Sequence, residues 1–271
     1  METTAGRPVC GVVRAAPGPI VAGVDGSEAS LRALDWAADE AALRGVPLRL
    51  VHASTGKGCD EDGWGAGRRL LESAARRARR RAPDIKISTE VAGEQAERAL
   101  LRAGREAGAL VLGTRGRAEL TGRLLGSVSL AVASHADCPV IVVRGGQGDQ
   151  LQPPAHRRVV VGVGGSAAVR FALREAQVRG AELEAVRTWR RPGHEERAVA
   201  ALERALRRVP EGLRIRRHTV EGHARQVLVS ASCEADLLVV GTRMLPGRLG
   251  QVTRRLLHHA ACPVAVVPEH H

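Results

Sequence analysis

The sequence contains two copies of one pattern, and this repeat limits the fold more strongly than any other feature. Residues 96–115 align with residues 224–243 at an offset of 128, and ten of these twenty positions are identical. Residues 135–143 align with residues 259–267 at an offset of 124, and seven of these nine positions are identical. A chain of 271 residues is long enough for two domains with real cores. The repeat therefore predicts two tandem domains with the same fold.

A third match sets the limits of the two copies. Residues 23–27 match residues 162–166 near the start of each copy. Between the copies, residues 146–157 have the Gly-, Gln- and Pro-rich composition that is typical of a linker. We therefore expect one domain over residues 19–145 and a second domain over residues 158–268.

The composition predicts a cytoplasmic protein that does not enter a membrane. No apolar run approaches the roughly 20 residues that cross a bilayer. Residues 1–18 contain an apolar stretch of only five residues, which is too short for a secretory signal, and we expect a disordered tail there. The five cysteines form no Cys-x-x-Cys pair, which is typical of small buried side chains rather than of a zinc or redox site.

The net charge of +12 raises the question of nucleic-acid binding. Only two of the 41 basic residues are lysines, so the excess of arginine indicates a compositional bias rather than a selected patch. The densest basic run, Arg76–Arg81, follows the polar side of a predicted helix and is typical of a solvated face. Aromatic side chains that could stack on bases make up 1% of the chain. The composition leaves acidic partners open and disfavours a dedicated nucleic-acid reader.

Each copy alternates β-branched runs with amphipathic helices, which predicts an α/β fold with a doubly wound parallel sheet of five strands. In the first copy we expect strands near 19–24, 48–53, 85–91, 109–113 and 139–143, and helices near 28–44, 67–82, 94–107 and 127–136. In the second copy we expect strands near 158–163, 181–188, 213–219, 236–241 and 263–267. The fold class is therefore two such sheets in tandem.

A candidate ligand site lies where the first and fourth predicted strands end. The run 23–27, Gly-Val-Asp-Gly-Ser, closes the first strand, and a glycine-rich loop over residues 113–129 follows the fourth. If the strand order is 3-2-1-4-5, both ends face the crevice where the order reverses, and such crevices bind ligands. A carboxylate there accepts hydrogen bonds from ribose hydroxyls, while glycine-rich backbone and a helix start bind phosphates. These features together indicate a nucleotide site.

Two common nucleotide motifs are absent from the sequence of this site. No G-x-G-x-x-G motif follows the first strand, which disfavours a dinucleotide fold of the usual kind. Gly116 and Gly122 have the wrong spacing for a P-loop, and no lysine follows them. Without that lysine, rapid hydrolysis of a nucleoside triphosphate has no evident electrophile.

The motifs of the first copy resemble those of the universal stress protein family. They are Gly113-x2-Gly116-x9-Gly126-Ser127, the opening Val24-Asp25-Gly26-Ser27 and the closing His135-Ala-x-Cys-Pro-Val. The resemblance covers nearly the whole chain and implies the order 3-2-1-4-5 in a Rossmann-like, adenine nucleotide alpha hydrolase-like fold. It also implies ATP binding, with or without Mg²⁺. Family members commonly pair through the fifth strand, which would make the two copies a pseudo-dimer within one chain. The resemblance also allows two copies of the chain to form a homodimer.

The resemblance also assigns the residues that would bind the nucleotide. Asp25 would contact the ribose or the adenine with Gly23 and Val24 beside it, and Ala53 would offer backbone atoms to the adenine. The residues around the phosphates would be Gly113, Arg115, Gly116, Gly126, Ser127, Val128 and Ser129. No residue is assigned a catalytic or metal-binding role.

Each of these assignments has a plainer alternative. Asp25 could cap the helix that follows it, because Asp-Gly-Ser favours turns and N-caps. Gly113, Gly116 and Gly126 could be ordinary turn glycines. Ser127 could be a helix N-cap, which is compatible with phosphate binding. The position of the carboxylate opposite an intact glycine loop favours the ligand interpretation.

The second copy departs from the pattern within this site. Asp25 is matched by Gly164, Gly116 by Met244 and Ser127 by Gln251. The offset falls from 128 at Gly241 to 124 at Gly250, so the loop has lost four residues. We therefore expect the second half to bind ATP poorly and to serve as a structural or regulatory partner.

These observations favour a cytoplasmic protein that binds ATP in its first half and acts as a stress-response sensor or regulator. They favour this function over fast catalysis because the site has no evident catalytic group. Two alternatives stay open. One is a slow ATPase or nucleotide-dependent transferase, and the other is a nucleotide-free scaffold that binds acidic partners.

Overall fold

The computed structural model of the chain describes five ranges of residues. They are 18–54, 61–114, 126–144, 156–243 and 249–269. Nearly all of the expected tail and most of the expected linker lie outside these ranges, so both stay predictions. Arg115 and Gly116 of the candidate site also lie outside the described residues.

Within the described residues, the first half alternates five strands with four helices. The strands are β1 (Ile20–Gly23), β2 (Leu48–Ala53), β3 (Ile87–Ala92), β4 (Ala109–Gly113) and β5 (Val140–Val143). The helices are α1 (Glu28–Arg44), α2 (Glu61–Arg81), α3 (Ala96–Gly104) and α4 (Ser127–His135). Capping sets both ends of α1: Ser27 Oγ accepts from the N–H of Ser30 at 3.2 Å, and Gly45 ends the helix with a φ of 64°.

The described part of the second half repeats this order of elements. The strands are β6 (Arg158–Gly162), β7 (Glu182–Trp189), β8 (Ile215–Glu221), β9 (Leu237–Arg243) and β10 (Val264–Glu269). The helices are α5 (Ser166–Val178), α6 (Glu195–Ala205), α7 (Ala224–Ala231) and α8 (Gln251–His259), and a 3₁₀ turn, Ser232–Glu234, follows α7. The strands that the sequence predicts are confirmed in both copies, with small differences at their ends.

Helix α2 begins six residues earlier than the sequence predicts. Glycines at 63, 65 and 67 lower the helix propensity of this segment, which is why the pattern gave a later start. At Gly67, a Cβ atom would lie 3.0 Å from the His52 ring and 3.2 Å from a methyl group of Val91. Glycine therefore lets the helix lie close to β2 and β3, and this packing outweighs the local propensity.

The two predicted five-stranded sheets are joined into one, through the fifth-strand pairing that the resemblance implies. Each half has the predicted order, β3-β2-β1-β4-β5 and β8-β7-β6-β9-β10, with parallel neighbours. β5 pairs with β10 in the antiparallel direction, which joins the described strands into one ten-stranded sheet. Ile141 lies opposite Ala265 at the centre of this pairing, and these are equivalent positions of the two copies. An approximate two-fold axis therefore passes between them and relates the halves as a pseudo-dimer.

Helices cover the sheet on both faces, and each face has one core that draws on both halves. On one face, Leu34 and Leu71 share a cluster with Phe171 and Leu202 of the second half. On the other face, the cluster includes residues of α3, α4, α7 and α8, with Leu100, Val132, Leu228 and Leu256 among them. Every residue of β4 is buried. This double burial explains why central strands such as β4 are continuous apolar runs rather than alternating ones.

Four charged side chains join α1 to α5 near the two-fold axis. Arg44 donates to Glu40 on its own helix at 2.6 Å and to Glu175 on α5 at 2.8 Å. Arg179 contacts the same two carboxylates from the other side. The side chains of Glu40 and Glu175 are 1% and 3% exposed, so salt screens these ion pairs very little. The cluster therefore ties the two halves together beneath the surface.

Each member of this cluster has a counterpart in the other half. At an offset of 135, the pairs are Glu40 and Glu175, Arg44 and Arg179, and Trp36 and Phe171. The guanidinium carbon of Arg44 lies 5.6 Å from the centre of the Phe171 ring, and that of Arg179 lies 5.4 Å from a ring of Trp36. Each guanidinium thus donates from its edge to carboxylates and presents its face to an aromatic ring of the other half.

Arg44→Met should lower the free energy of unfolding by about 3–5 kcal/mol, because two buried carboxylates would then share one guanidinium. Arg216→Ala is the matched control. Arg216 donates to Glu182 with 51% of its side chain exposed, so its loss should cost at most about 1 kcal/mol. Urea denaturation of both variants measures the difference. Equal losses would contradict the importance of burial at the α1–α5 contact.

Glu175→Gln should change how stability depends on pH. Burial, and then the charge of Glu40, raises the pKa of Glu175 from 4.5 to about 7. The folded state therefore binds this proton more tightly than the unfolded state. The resulting stabilisation is complete below pH 4.5 and is lost as the pH rises through about 7. Between about pH 5 and 8, the wild-type melting temperature should fall relative to that of the variant.

Glu40 titrates outside this window. Burial opposes its ionisation, but the charges of Arg179 and Arg44 hold the pKa of Glu40 below 4.5. Its contribution to stability is present above pH 4.5 and is lost only as the pH falls further. Thermal melts of the wild type and Glu175→Gln at each pH give the comparison. A difference that stays constant from about pH 5 to 8 would contradict the prediction.

Candidate functional site

Three strand ends of the first half meet at one edge of the sheet. β1 lies between β2 and β4 and runs parallel to both, with Gly23 opposite Val51. The N–H of Val24 continues this pairing by donating to the carbonyl of Val51 at 2.9 Å. The strand order reverses between β1 and β4, which opens a crevice at the carboxyl ends of these two strands. The segment after Gly23 lies on one side of this crevice and Gly113 on the other. Ala53 lies at the carboxyl end of the neighbouring strand β2.

Asp25 lies half-buried in the turn between β1 and α1. Its Oδ1 accepts from the N–H of Ser27 at 2.9 Å, which forms an Asx turn. Its own N–H donates to Ser30 Oγ at 3.4 Å, and Gly26 supplies a φ of 82° that glycine adopts at low cost. The N-cap of α1 is Ser27, so Asp25 is not the helix cap of the plainer alternative. The turn fixes the Asp25 carboxylate at the end of β1.

His52 supports this turn from β2, a role that the sequence analysis missed. Its Nδ1 lies 2.7 Å from the carbonyl oxygen of Val24, and because a carbonyl only accepts, Nδ1 carries the proton. In the second half, Arg187 makes the same contact by donating to the carbonyl of Val163 at 2.6 Å. A polar side chain near the end of a buried strand in both copies is the signal that could have revealed this role.

Gly113 ends β4 where the first turn of α1 crosses it. A Cβ atom at this position would lie 2.6 Å from the carbonyl carbon and oxygen of Ala29 and 2.9 Å from the nitrogen of Ser30. These are backbone atoms, so they cannot move aside without moving the helix. The close approach of α1 to β4 therefore requires glycine here, independently of any ligand.

The loop after β4 is closed at its base. The N–H of Gly126 donates to the carbonyl of Thr114 at 2.5 Å, which holds the start of α4 beside the end of β4. Arg115 and Gly116, which the resemblance places against the phosphates, follow Thr114 and lie outside the described residues. The closed base brings the N-terminus of α4 to the sheet edge that carries Asp25.

Helix α4 begins at this edge with Ser127, Val128 and Ser129. The N–H groups of a first helical turn have no partner within the helix, and the positive end of the helix dipole favours an anion there. The N-cap position is Gly126 rather than Ser127. Ser129 is buried, and its hydroxyl donates to the carbonyl of Gly113 at 2.6 Å. The Ser129 side chain thus ties α4 to β4, and its backbone N–H is the group available to a phosphate.

The first-half site therefore combines an acceptor and donors across one crevice. The Asp25 carboxylate lies at the end of β1, and the first turn of α4 lies beside the end of β4. Such an arrangement suits a ligand with hydroxyl groups at one end and phosphate at the other.

The matching edge of the second half is built differently. Gly164 stands where the first half has Asp25, so no carboxylate follows β6 at this position. Instead, Glu269 at the end of β10 accepts from the N–H groups of Ala167 and Ala168 at 3.0 and 3.1 Å. Its carboxylate caps α5 from a distant part of the sequence, where the first half uses the local Ser27 cap. The two copies therefore have the same order of strands and helices, but different residues stand at the carboxyl ends of the strands.

Other kinds of site find little support in the described residues. Within them, no group of three or more His, Cys, Asp or Glu side chains could hold a metal ion. Burial raises the pKa of the Cys138 and Cys262 thiols to about 12, so both stay protonated at neutral pH. None of the described helices combines the length and the apolarity that a membrane span needs.

Residues 18–144 and 191–268 match the model of the family described as Universal stress protein family. Universal stress protein Rv2005c of Mycobacterium tuberculosis is 34% identical over 285 residues, which cover 91% of this chain and 96% of that protein. Universal stress protein Rv2623 of the same species is 32% identical over 291 residues, covering 92% and 96%. The family match omits residues 145–190, which include Gly164.

A solved structure shows the same fold. The crystal structure of a universal stress protein from Archaeoglobus fulgidus superposes with a TM-score of 0.76 and covers 92% of this chain and 98% of that chain. The sequences are 18% identical, so the likeness concerns the fold alone. It extends over both halves of the chain.

Gly113→Ala should lower the free energy of unfolding by about 1–3 kcal/mol, because the added Cβ pushes α1 away from β4. Gly164→Ala is the matched control in the second half. A Cβ at Gly164 would meet no atom within 4 Å, and Gly164 is not a helix N-cap, so this variant should be nearly neutral. Denaturant titrations of both variants measure the effect. A Gly113→Ala protein as stable as the wild type would show that packing does not require this glycine.

Proposed function

The chain belongs to the universal stress protein family, and we propose that its first half binds ATP in the crevice between β1 and β4. In this proposal the protein is a cytoplasmic stress-response sensor or regulator rather than a fast catalyst. The observation that carries the proposal is the position of the Asp25 carboxylate and the N-terminus of α4 at one edge of the sheet.

The proposed pose follows from the donors and acceptors of this edge. Hydroxyl groups of the ribose would donate to Asp25, and backbone atoms at Ala53 would meet the adenine. The phosphates would accept from the N–H groups of Ser127, Val128 and Ser129, where the helix dipole also favours negative charge. Mg²⁺, when present, would arrive on the phosphate oxygens, as it commonly does in nucleotide sites.

The sequence of the loop supports binding rather than turnover. A P-loop supplies a lysine that neutralises charge during phosphoryl transfer, and no lysine occurs between residues 113 and 129. A site that binds ATP and hydrolyses it slowly has an occupancy that is set by the ATP concentration relative to the Kd. Occupancy of this kind suits a sensor, because the bound state itself carries the information.

Asp25→Asn should weaken ATP binding by about tenfold or more, because the ribose hydroxyls lose a charged acceptor. An asparagine Oδ1 can still accept from the N–H of Ser27, so the Asx turn survives and the variant isolates the role of the charge. Gly126→Val should also weaken binding, since a branched side chain hinders the approach of a phosphate to the backbone. Calorimetry with ATP and MgATP measures all three proteins.

Gly250→Val is the matched control, because Gly250 is the N-cap of α8 as Gly126 is of α4. It should leave ATP binding to the first half unchanged. No measurable binding to the wild type at millimolar ATP would sink the proposal, and so would binding that is lost in Gly250→Val but not in Gly126→Val. Sustained phosphate release that disappears in Gly126→Val would favour a slow ATPase instead.

A further inference from the structure

The second half contains a cavity of about 540 Å³ at the carboxyl ends of β7 and β8. The N-termini of α7 and α8 also reach it. Its basic and aromatic lining consists of Trp189, Arg190, Arg191, His194, His223 and Arg225. A volume of this size is typical of a small-molecule site. The cavity thus lies at the sheet edge where the second copy has lost the Asp25 carboxylate.

The charge of this edge differs between the two copies. Arg225 in the first turn of α7 matches Glu97 in the first turn of α3, at the offset of 128 that aligns these helices. Gly222 likewise matches Glu94. The first half therefore has two carboxylates where the second half has a guanidinium and a glycine. No acidic side chain is among the described residues that line the cavity.

The hydrogen-bond donors of the cavity converge from two segments. Arg190 and Arg191 follow β7, while His223 and Arg225 flank the start of α7. Arg190 Nη1 lies 3.3 Å from His223 Nδ1, and because a guanidinium only donates, Nδ1 accepts this hydrogen bond. The proton of neutral His223 is therefore on Nε2, which makes the ring a second donor.

Arginine is the side chain best suited to phosphate groups. Its planar guanidinium offers paired N–H donors that fit two oxygens of one phosphate, and it keeps its charge at all ordinary pH values. The first turns of α7 and α8 add backbone N–H groups and positive dipole ends to the same cavity. Three guanidiniums around one cavity favour a ligand with several negative charges over a single carboxylate.

We propose that this cavity binds a small, multiply phosphorylated anion through Arg190, Arg191 and Arg225. Recognition rests on side-chain cations and does not use a carboxylate–ribose contact, so it differs in chemistry from the proposed ATP site. It also lies in the other half of the chain. Inorganic polyphosphate and a bisphosphorylated organic molecule both present several phosphate groups, and they differ in how far apart these groups lie.

Calorimetry of the full chain with inorganic tripolyphosphate tests the proposal, and a parallel titration with fructose 1,6-bisphosphate distinguishes the two sources of phosphate. We expect one saturable site. Arg191→Gln and Arg225→Gln should each weaken the binding by about tenfold, because each removes charge-assisted hydrogen bonds. Arg225→Glu, which restores the charge of the first copy, should weaken it further.

Arg217→Gln is the matched control, because Arg217 is an exposed arginine of β8 outside the cavity and the substitution changes the net charge equally. It should bind tripolyphosphate like the wild type, and so should Asp25→Asn. Equal weakening by Arg217→Gln would overturn the proposal in favour of unspecific charge attraction. Loss of binding in Asp25→Asn or Gly126→Val would place the anion in the first half instead. Salt-sensitive binding of a DNA duplex that also requires Arg191 and Arg225, without tripolyphosphate binding, would equally overturn it.

Discussion

The antiparallel pairing of β5 with β10 determines the architecture of the whole molecule. Each half alone would expose its fifth strand as a sheet edge, and an exposed edge invites pairing with other chains. The pairing covers both edges at once and sets the two sheets in opposite directions. The carboxyl ends of the first-half strands therefore lie on one side of the common sheet, and the carboxyl ends of the second-half strands lie on the opposite side. Two ligands at these ends contact different halves and cannot compete for one crevice.

Packing explains which features the second copy has kept. Gly113 and Gly241 occupy the same position, and both copies keep glycine there although only the first retains the carboxylate of Asp25. In the first half, a Cβ would collide with the backbone of α1. In the second half, a Cβ at Gly241 would lie 2.8 Å from the carboxylate of Glu269, which caps α5. Retention of this glycine in both copies therefore reflects the packing of the fold and is not by itself evidence of a ligand.

The sequence predicted those parts of the fold that depend on local pattern. Buried strands are apolar runs and helices have one apolar face, so the alternation of elements was readable from either copy. The parts that were missed depend on residues far apart in sequence. Arg44 of the first half donates to Glu175 of the second half, and Glu269 at the end of the last strand caps α5. In the site, the edge position of Asp25 followed from motif and topology, but the contact of His52 with the turn required coordinates.

Under the two proposals, one backbone arrangement presents two kinds of anion site. In the first half, the strand end carries a carboxylate, and phosphate donors would come from backbone at the start of α4. Such donors lie at fixed positions, so they demand a ligand of defined shape. In the second half, glycine stands at position 164 in place of the carboxylate, and Arg225 stands where the first half has Glu97. The positive charge that would bind an anion is therefore on side chains instead of on backbone N–H groups. Side-chain cations adapt to ligands of several shapes and select mainly for negative charge. The differences at Gly164 and Arg225 lie outside the buried strands, so the sheet tolerates both. The two halves can therefore differ in ligand while the shared core and the β5–β10 pairing stay intact.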